Sequence, residues 1–511
     1  MITGLSKSNE NQISETDIFI YPYSLKYLND LKIDFPGVYA NITAVIEPND
    51  RYRKNDASVR IISPDEFKTV YLGKIGTIKS AANMSLIITD DYYEELLPAI
   101  EAALPDFANI FYYLDHASQR ERQYRTRYEN KPLENKIIFR SGPHESQYVR
   151  GADFADNARA LFEYMLKAGI NKEYELIWLV KYPREFEHIA GEYDNVKFIS
   201  IDDKNEEYYE ALFNAKIIFM TDAYGFSRNC RKGQVRIQLW HGCGFKTRTN
   251  FSPCRCRYEY NIVIGEKYKK IHEEIYGLES NQVVITGYPK ADWLFEKSWP
   301  EKFEKMNIPK VKKTIFWLPT FRKAKGVLGE LNEAGFKGDT GLPVVKTHKQ
   351  LMILDEKLKA ANAILIVKLH PFQDENEIHI EDTSNIILIK NEDMVEADVQ
   401  INQILAGADA LISDYSSAAT EFLLLDRPMG FCLEDVLEYE ESRGFVFDNI
   451  RDWLPGEEIF TFGEFSYFID EVILERDISA DKRRKIRNLM YTYPDGDSCS
   501  RVTQWALSLI L

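Results

Sequence analysis

The chain is 511 residues long, 45% hydrophobic and 28% charged, an ordinary globular balance whose length asks for about two to four packed domains. A formal net charge of -16 excludes a broad nucleic-acid-binding face, which needs basic surface, but leaves room for a local basic pocket that takes phosphates. Six cysteines are too sparse for a disulfide framework, and the C-x-C pair Cys254 and Cys256 lacks a second pair at zinc spacing, so reduced thiols in the cytoplasm are the simple reading. Residues 1–16 are polar and read as a flexible tail without the apolar core of a signal peptide. No run of about 18 apolar residues predicts a membrane span; peripheral contact at the inner face of a membrane stays open.

Residues 17–117 alternate strand and helix signals. Ile18 to Tyr21 reads as a strand, residues 38–46 as a second apolar run, and Val59 to Ser63 as a third that meets a helix start at Pro64-Asp65-Glu66. Leu86 to Thr89 is a further strand, followed by a helix over residues 92–104. The spacing predicts a small parallel α/β domain, Rossmann-like in shape. After its first strand the chain reads Tyr21-Pro22-Tyr23-Ser24-Leu25, without the glycines that let a backbone approach a pyrophosphate, so no cofactor is expected there or elsewhere. Residues 118–135, rich in Arg, Gln and Glu, read as a linker or exposed helix.

A second α/β unit is expected over residues 136–254. Its helix at 156–168 carries Ala158, Leu161, Phe162, Met165 and Leu166 on one face, and strands follow near 176–180, 196–199, 217–220 and 235–239. Residues 255–511 read as the third unit, with strands near 260–264, 283–285, 314–318, 363–367, 386–389 and 410–412 and C-terminal helices packing back on the preceding half. Two parallel sheets of similar size, each with polar motifs at strand ends, place a ligand in the crevice between them. The glycine-dense stretch 323–346 reads either as a mobile insertion near that site or as a plain surface loop.

The candidate site residues sit at those strand ends. Asp414-Tyr415-Ser416-Ser417 follows the apolar run Ala410-Leu411-Ile412 and opens a helix, so its hydroxyls and free helix N–H groups suit an anion; helix capping alone is the competing reading. Glu421, one turn on, can reach a ribose hydroxyl. His241 follows another strand, between Trp240 and Gly242; Gly242 and Gly244 permit a sharp turn that exposes the imidazole, a natural general base near neutral pH. Lys368 and His370 are two apart on a strand and point to one face, with Pro371 ending the strand. Both can bond phosphate oxygens, as can Thr320 and the planar fork of Arg322. In Gly287-Tyr288-Pro289-Lys290-Ala291-Asp292, Lys290 can meet a phosphate, while Asp292 reads as a turn buttress or helix cap. Asp495-Gly496-Asp497 has the D-x-D form of some metal sites but sits in a turn, and no metal is expected. Walker, H-E-x-x-H and G-x-S-x-G signatures are missing.

Taken in order, Trp240-His241-Gly242, Pro319-Thr320-Phe321-Arg322, His370-Pro371 and Asp414-Tyr415-Ser416-Ser417 resemble the CDP-glycerol glycerophosphotransferase family of teichoic acid primases and polymerases. Gly287 to Asp292 resembles the family's glycine-proline-arginine-x-aspartate piece, with Lys290 in place of arginine, and Leu423-Leu424-Leu425-Asp426-Arg427-Pro428 its leucine-rich helix end. Arg443-Gly444-Phe445 and Pro455-Gly456 match weaker pieces. The likeness runs from Lys136 to Leu511 and leaves out the first segment. It implies a GT-B architecture of two Rossmann-like halves and no metal; the Rossmann-like α/β domain over residues 17–117 is an extra N-terminal domain outside the likeness. It also implies donor diphosphate contacts from His370, Ser416, Ser417, Arg322 and Thr320, and His241 as base, with His370 the second catalytic histidine. The expected reaction is transfer of glycerol phosphate from CDP-glycerol to an acceptor hydroxyl with release of CMP. The acceptor would be a polyol phosphate or glycan, free or lipid-linked, in teichoic-acid-like or capsular polymer synthesis. Ribitol-phosphate transfer, or a GT-B glycosyltransferase using another CDP or UDP donor, is the alternative; a non-enzymatic scaffold is a third. Where usual members have threonine, proline and leucine, this chain has Cys243-Gly244-Phe245 before Lys246, a departure between the two expected acceptor-side residues, Gly242 and Lys246.

Overall fold

The computed structural model describes residues 3–14, 16–47, 59–72, 84–90, 93, 96–98, 100, 107, 109–142, 151–221, 231–246, 258–319, 338–369, 378–380, 382–442 and 444–511. They form two compact units, Met1–Glu129 and Asn130–Leu511.

In the first unit, runs of Ile, Val and Phe form a six-stranded parallel sheet. Its strands are β1 (Thr3–Gly4), β2 (Asp17–Tyr21), β3 (Ile42–Ile46), β4 (Ile61–Ile62), β5 (Met84–Ile88) and β6 (Asn109–Tyr112), in the order β1-β6-β5-β2-β3-β4. Two expectations change here, and a third segment, left open between linker and helix, is helical. The segment read as a free tail joins the sheet, because Thr3 and Gly4 pair with Phe111 and Tyr112 and Ile13 is buried. The run 38–46 is part helix, Pro36–Ala40, since Pro36 suits a first helical turn. The polar stretch after residue 115 is helical over His116–Tyr128, where Asp115 caps the start by accepting from the Ser118 N–H at 2.7 Å. The glycine-free turn after β2 is closed from within, the buried Glu47 carboxylate accepting the Tyr23 N–H at 2.9 Å.

The second unit holds two more parallel sheets. The first contains β7 (Glu134–Ser141), β8 (Glu175–Val180), β9 (Val196–Ser200), β10 (Ala215–Thr221), β11 (Val235–Gln238), β12 (Tyr260–Val263) and β13 (Val283–Ile285), ordered β13-β12-β11-β10-β7-β8-β9. The second contains β14 (Lys313–Trp317), β15 (Ala363–Lys368), β16 (Ile386–Ile389), β17 (Ala410–Ser413), β18 (Met429–Cys432) and β19 (Glu457–Ile459), ordered β16-β15-β14-β17-β18-β19. The expected boundary at 254/255 therefore falls inside the first sheet: Tyr260 pairs with Ile237, and β13 extends the same sheet. The chain crosses over only after β13, through the 3-10 segment Pro289–Phe295 and the helix Trp299–Lys305.

The C-terminal helix Ser498–Ser508 returns to the first sheet. Trp505 packs edge-on against Tyr260, and the Arg501 guanidinium donates to the Thr286 carbonyl at 2.9 Å. One apolar cluster runs through both sheets, from Phe139 and Trp178 to Phe316 and Leu411. Side chains of that size each contribute about 1.5–3 kcal/mol on full burial.

Candidate active site

In each sheet the strand order reverses beside the first strand, between β7 and β10 in one and between β14 and β17 in the other. Open parallel sheets bind ligands beyond the strand C-termini at such reversals. Here both reversals open into one cleft of about 530 Å³, lined by Ser141, Gly142 and Thr221 from the first sheet and by Leu318, Pro319, Ser416, Ser417 and Ala418 from the second. His241, Lys290 and Lys368 line the same cleft.

The loop bearing His241 is fastened carbonyl by carbonyl. Asn157, buried at the start of the helix Asp156–Lys167, donates its amide to the Leu239 and Trp240 carbonyls at 3.2 and 2.7 Å. Lys290 takes the His241 carbonyl at 2.7 Å, the Thr420 hydroxyl that of Cys243 at 2.7 Å, the Tyr268 hydroxyl that of Gly244 at 3.3 Å, and the Val446 N–H that of Phe245 at 2.9 Å. Trp240 and Gly242 both have positive φ, 49° and 140°, and this double bend turns the chain out of β11. A Cβ on Gly242 would stand 2.9 Å from the Ser417 side chain and 3.0 Å from Glu421. Glycine is needed because the two halves touch there.

Several site residues have roles the sequence did not indicate. Lys290, expected at a phosphate, is buried and bound to the His241 carbonyl, to Asp156 at 3.3 Å and to Glu421 at 3.2 Å. Burial acts to lower its pKa, but the Asp156 and Glu421 carboxylates outweigh it, so the ammonium is held more firmly protonated than usual. Glu421, expected at a ribose, is 1% exposed and accepts the Asn402 amide at 2.8 Å. Burial raises its pKa more than Lys290 and Asn402 lower it. Asp414 is buried and accepts the Tyr415 N–H at 2.6 Å, shaping the turn before the serines. Gly242 faces the Ser417 helix, and the Lys246 backbone pairs with Phe445 in an isolated bridge.

Ser416 caps the helix Ser417–Phe422 by accepting the Ala418 N–H at 3.3 Å, and both serines still line the cleft, so capping and ligand-facing positions coincide. Lys368 reaches the Leu369 carbonyl at 2.9 Å and the Asn391 side chain. Asp292 does buttress a helix start, but of a helix some two hundred residues away: its carboxylate accepts the Ser498 and Cys499 N–H groups at 2.9 and 2.7 Å. Asp495 of the D-x-D piece is bound by Arg501 at 2.7 and 3.1 Å. Thr320, Arg322, His370, Pro371 and the Cys254–Cys256 pair lie outside the described residues, as does most of the glycine-dense stretch.

Sequence reasoning missed Asp156, Asn157, Arg159, Gln400 and Asn402. The Gln400 side chain accepts the Asp156 N–H at 3.1 Å, and Arg159 pairs with Asp398 at 2.7 Å, both across the cleft. A polar Asp-Asn pair at a helix start reads as a cap; nothing local signals a loop some eighty residues on.

Two parallel sheets with a shared cleft at their reversal points define a GT-B-type α/β architecture. Residues 124–507 match the model of the CDP-glycerol:poly(glycerophosphate) glycerophosphotransferase family. The chain belongs to this family and is a transferase of the glycerophosphotransferase class, acting with CDP-glycerol. It is 27% identical to a teichoic acid glycerol-phosphate primase of Bacillus subtilis (strain 168), over 72% of this chain and 93% of that one. It is also 27% identical to the teichoic acid ribitol-phosphate polymerase TarL of Staphylococcus aureus, over 57% of this chain and 51% of that one. Among solved structures, the wall teichoic acid polymerase TagF (H548A) shares the fold with a TM-score of 0.59 at 19% identity, covering 82% of this chain and 97% of that one.

Proposed function

We propose that the cleft transfers glycerol phosphate from CDP-glycerol to an acceptor hydroxyl, releasing CMP, in the synthesis of a teichoic-acid-like or capsular polymer. The observation that carries this reading is that His241, at a strand end of one sheet, and Ser416–Ser417, at a strand end of the other, line one hollow and are pressed together through Gly242. The acceptor oxygen bonds to the phosphorus that bears glycerol. The bond from that phosphorus to the bridging oxygen breaks, and CMP leaves with that oxygen. His241 takes the acceptor proton, which makes a poor nucleophile competent. CMP needs charge neutralisation more than an acid; the Ser416–Ser417 turn and Lys368 supply it, with Thr320, Arg322 and His370 assigned by motif.

His241→Ala is expected to lower CMP release by at least ~100-fold, the lower end for losing a general base. Near-normal turnover refutes the base role. Ribitol-phosphate transfer is the second reading, because identity is the same 27% to a glycerol and to a ribitol enzyme. A panel of CDP-glycerol, CDP-ribitol and UDP-sugars, read by the nucleotide released, decides between them. No described helix is long and apolar enough to cross a membrane, so a lipid-linked acceptor would bring the enzyme to the inner membrane face as a peripheral protein.

A further inference from the structure

Lys290 sits on the connection that carries the chain from the first sheet to the second. Its ammonium has three kinds of partner, each from a different piece of the cleft. Asp156 opens the first-sheet helix Asp156–Lys167, Glu421 lies in the second-sheet helix Ser417–Phe422, and the third partner is the backbone carbonyl of His241. Its own backbone is held as well: its N–H donates to Asn157 at 3.0 Å and its carbonyl accepts from Asn402 at 3.2 Å. Asp156 has φ of 62°, an uncommon conformation for a residue other than glycine, and in it the N–H reaches Gln400 while the carboxylate reaches Lys290. An ammonium has three donors, and these partners occupy the directions a donor phosphate would need.

Resting on His241 as the base, we infer that Lys290 is a positioning residue rather than a donor ligand: it fixes the His241 backbone relative to the Ser417 helix, so the imidazole keeps its place when the two sheets hold a donor between them. A base must lie within hydrogen-bond reach of the proton it takes, and small misplacements are costly in rate.

Lys290→Met alone would leave the buried Glu421 and the half-buried Asp156 carboxylates without their cation, so folding and positioning would fail together. Lys290→Met/Glu421→Gln removes one positive and one negative charge, keeps the cluster's net charge, and deletes the tether to His241. In the full-length enzyme this double variant is expected to keep a thermal midpoint near that of the parent and a donor KM within about threefold, while kcat falls roughly 10- to 100-fold. Lys290→Arg retains a cation and donors and is expected to recover most of kcat. Parent-like kcat in the double variant overturns the inference. So does a raised donor KM at unchanged kcat, which would make Lys290 a donor ligand, and so does loss of the cooperative unfolding transition, which would make it a prop of the fold. His241→Ala in the same assay separates the two ideas. If that variant is active, the base reading fails; if it is dead while the double variant keeps a parent-like kcat, only the role of Lys290 fails.

Discussion

Cys243 shows how a departure from the usual motif is absorbed. It lies two residues past His241, and its thiol is 1% exposed, 3.0 Å from the Tyr288 hydroxyl and 3.8 Å from His272. Burial pushes its pKa up to about 12, the hydrogen bond from Tyr288 only partly opposing it. Below the ordinary thiol range both folded and unfolded chains keep the proton. As pH rises from about 9 towards 12 the unfolded chain ionises first, so stability falls across that window. The same burial makes the native thiol unreactive, since the thiolate is the nucleophile. At pH 8 the peptide carrying Cys243 is expected to take up iodoacetamide at least ~100-fold more slowly in the native enzyme than in urea, read by mass mapping. Equal rates would mean the thiol is not enclosed. Gly242 next door gives the steric counterpart: its missing side chain lets Ser417 come within contact distance of the His241 loop.

Helix starts here join distant parts of the chain. Asp292 lies in the 3-10 segment that leaves the first sheet, yet its carboxylate caps Ser498–Ser508, and Gly287 leaves room for the Ser498 hydroxyl, which a Cβ would meet. The glycine–lysine–aspartate piece thus serves three contacts, at residues 287, 290 and 292, none of them needing a ligand. Asp292→Ala would leave two N–H groups of a mostly buried helix end unpaired. It is expected to cost about 1–2 kcal/mol of stability by urea unfolding, the range for losing a cap. An unchanged midpoint would show that other groups satisfy that helix end. Ser416 caps in the same way, and its short helix continues into the 3-10 turn Leu423–Leu425 that ends at left-handed Asp426.

At the scale of the molecule, the described residues that line the cleft belong to the unit Asn130–Leu511. A ligand that binds only the folded cleft stabilises that unit by mass action, about 2.7 kcal/mol at a hundred times its Kd. Calorimetry of the full chain is therefore expected to show CDP-glycerol raising the transition of the second unit by several degrees, at about 2–4 °C per kcal/mol. A transition carried by the first unit should stay in place. No shift with CDP-glycerol, alongside a shift with a UDP-sugar, would reassign the donor. The Glu47 carboxylate under the Tyr23 N–H gives the first unit a physical reason to ignore phosphates, since a negative group already holds that turn.

Alternating apolar runs and amphipathic helices were enough to establish three parallel α/β sheets, because strand and helix periods are local properties of the chain. Strand-end polar residues were legible for the same reason, and His241, Ser416, Ser417 and Lys368 do meet in one cleft. What local pattern could not decide was which strands share a sheet. Tyr260 and Val283 carry no mark that they pair backwards with β11 and β12, because parallel pairing is a long-range choice made by hydrogen bonding and burial. Nor could it decide the partners of charged groups. Lys290 and Glu421 look like ligand contacts in isolation and become a buried ion pair only once the crossover, the His241 loop and the second-sheet helix are brought within a few ångströms.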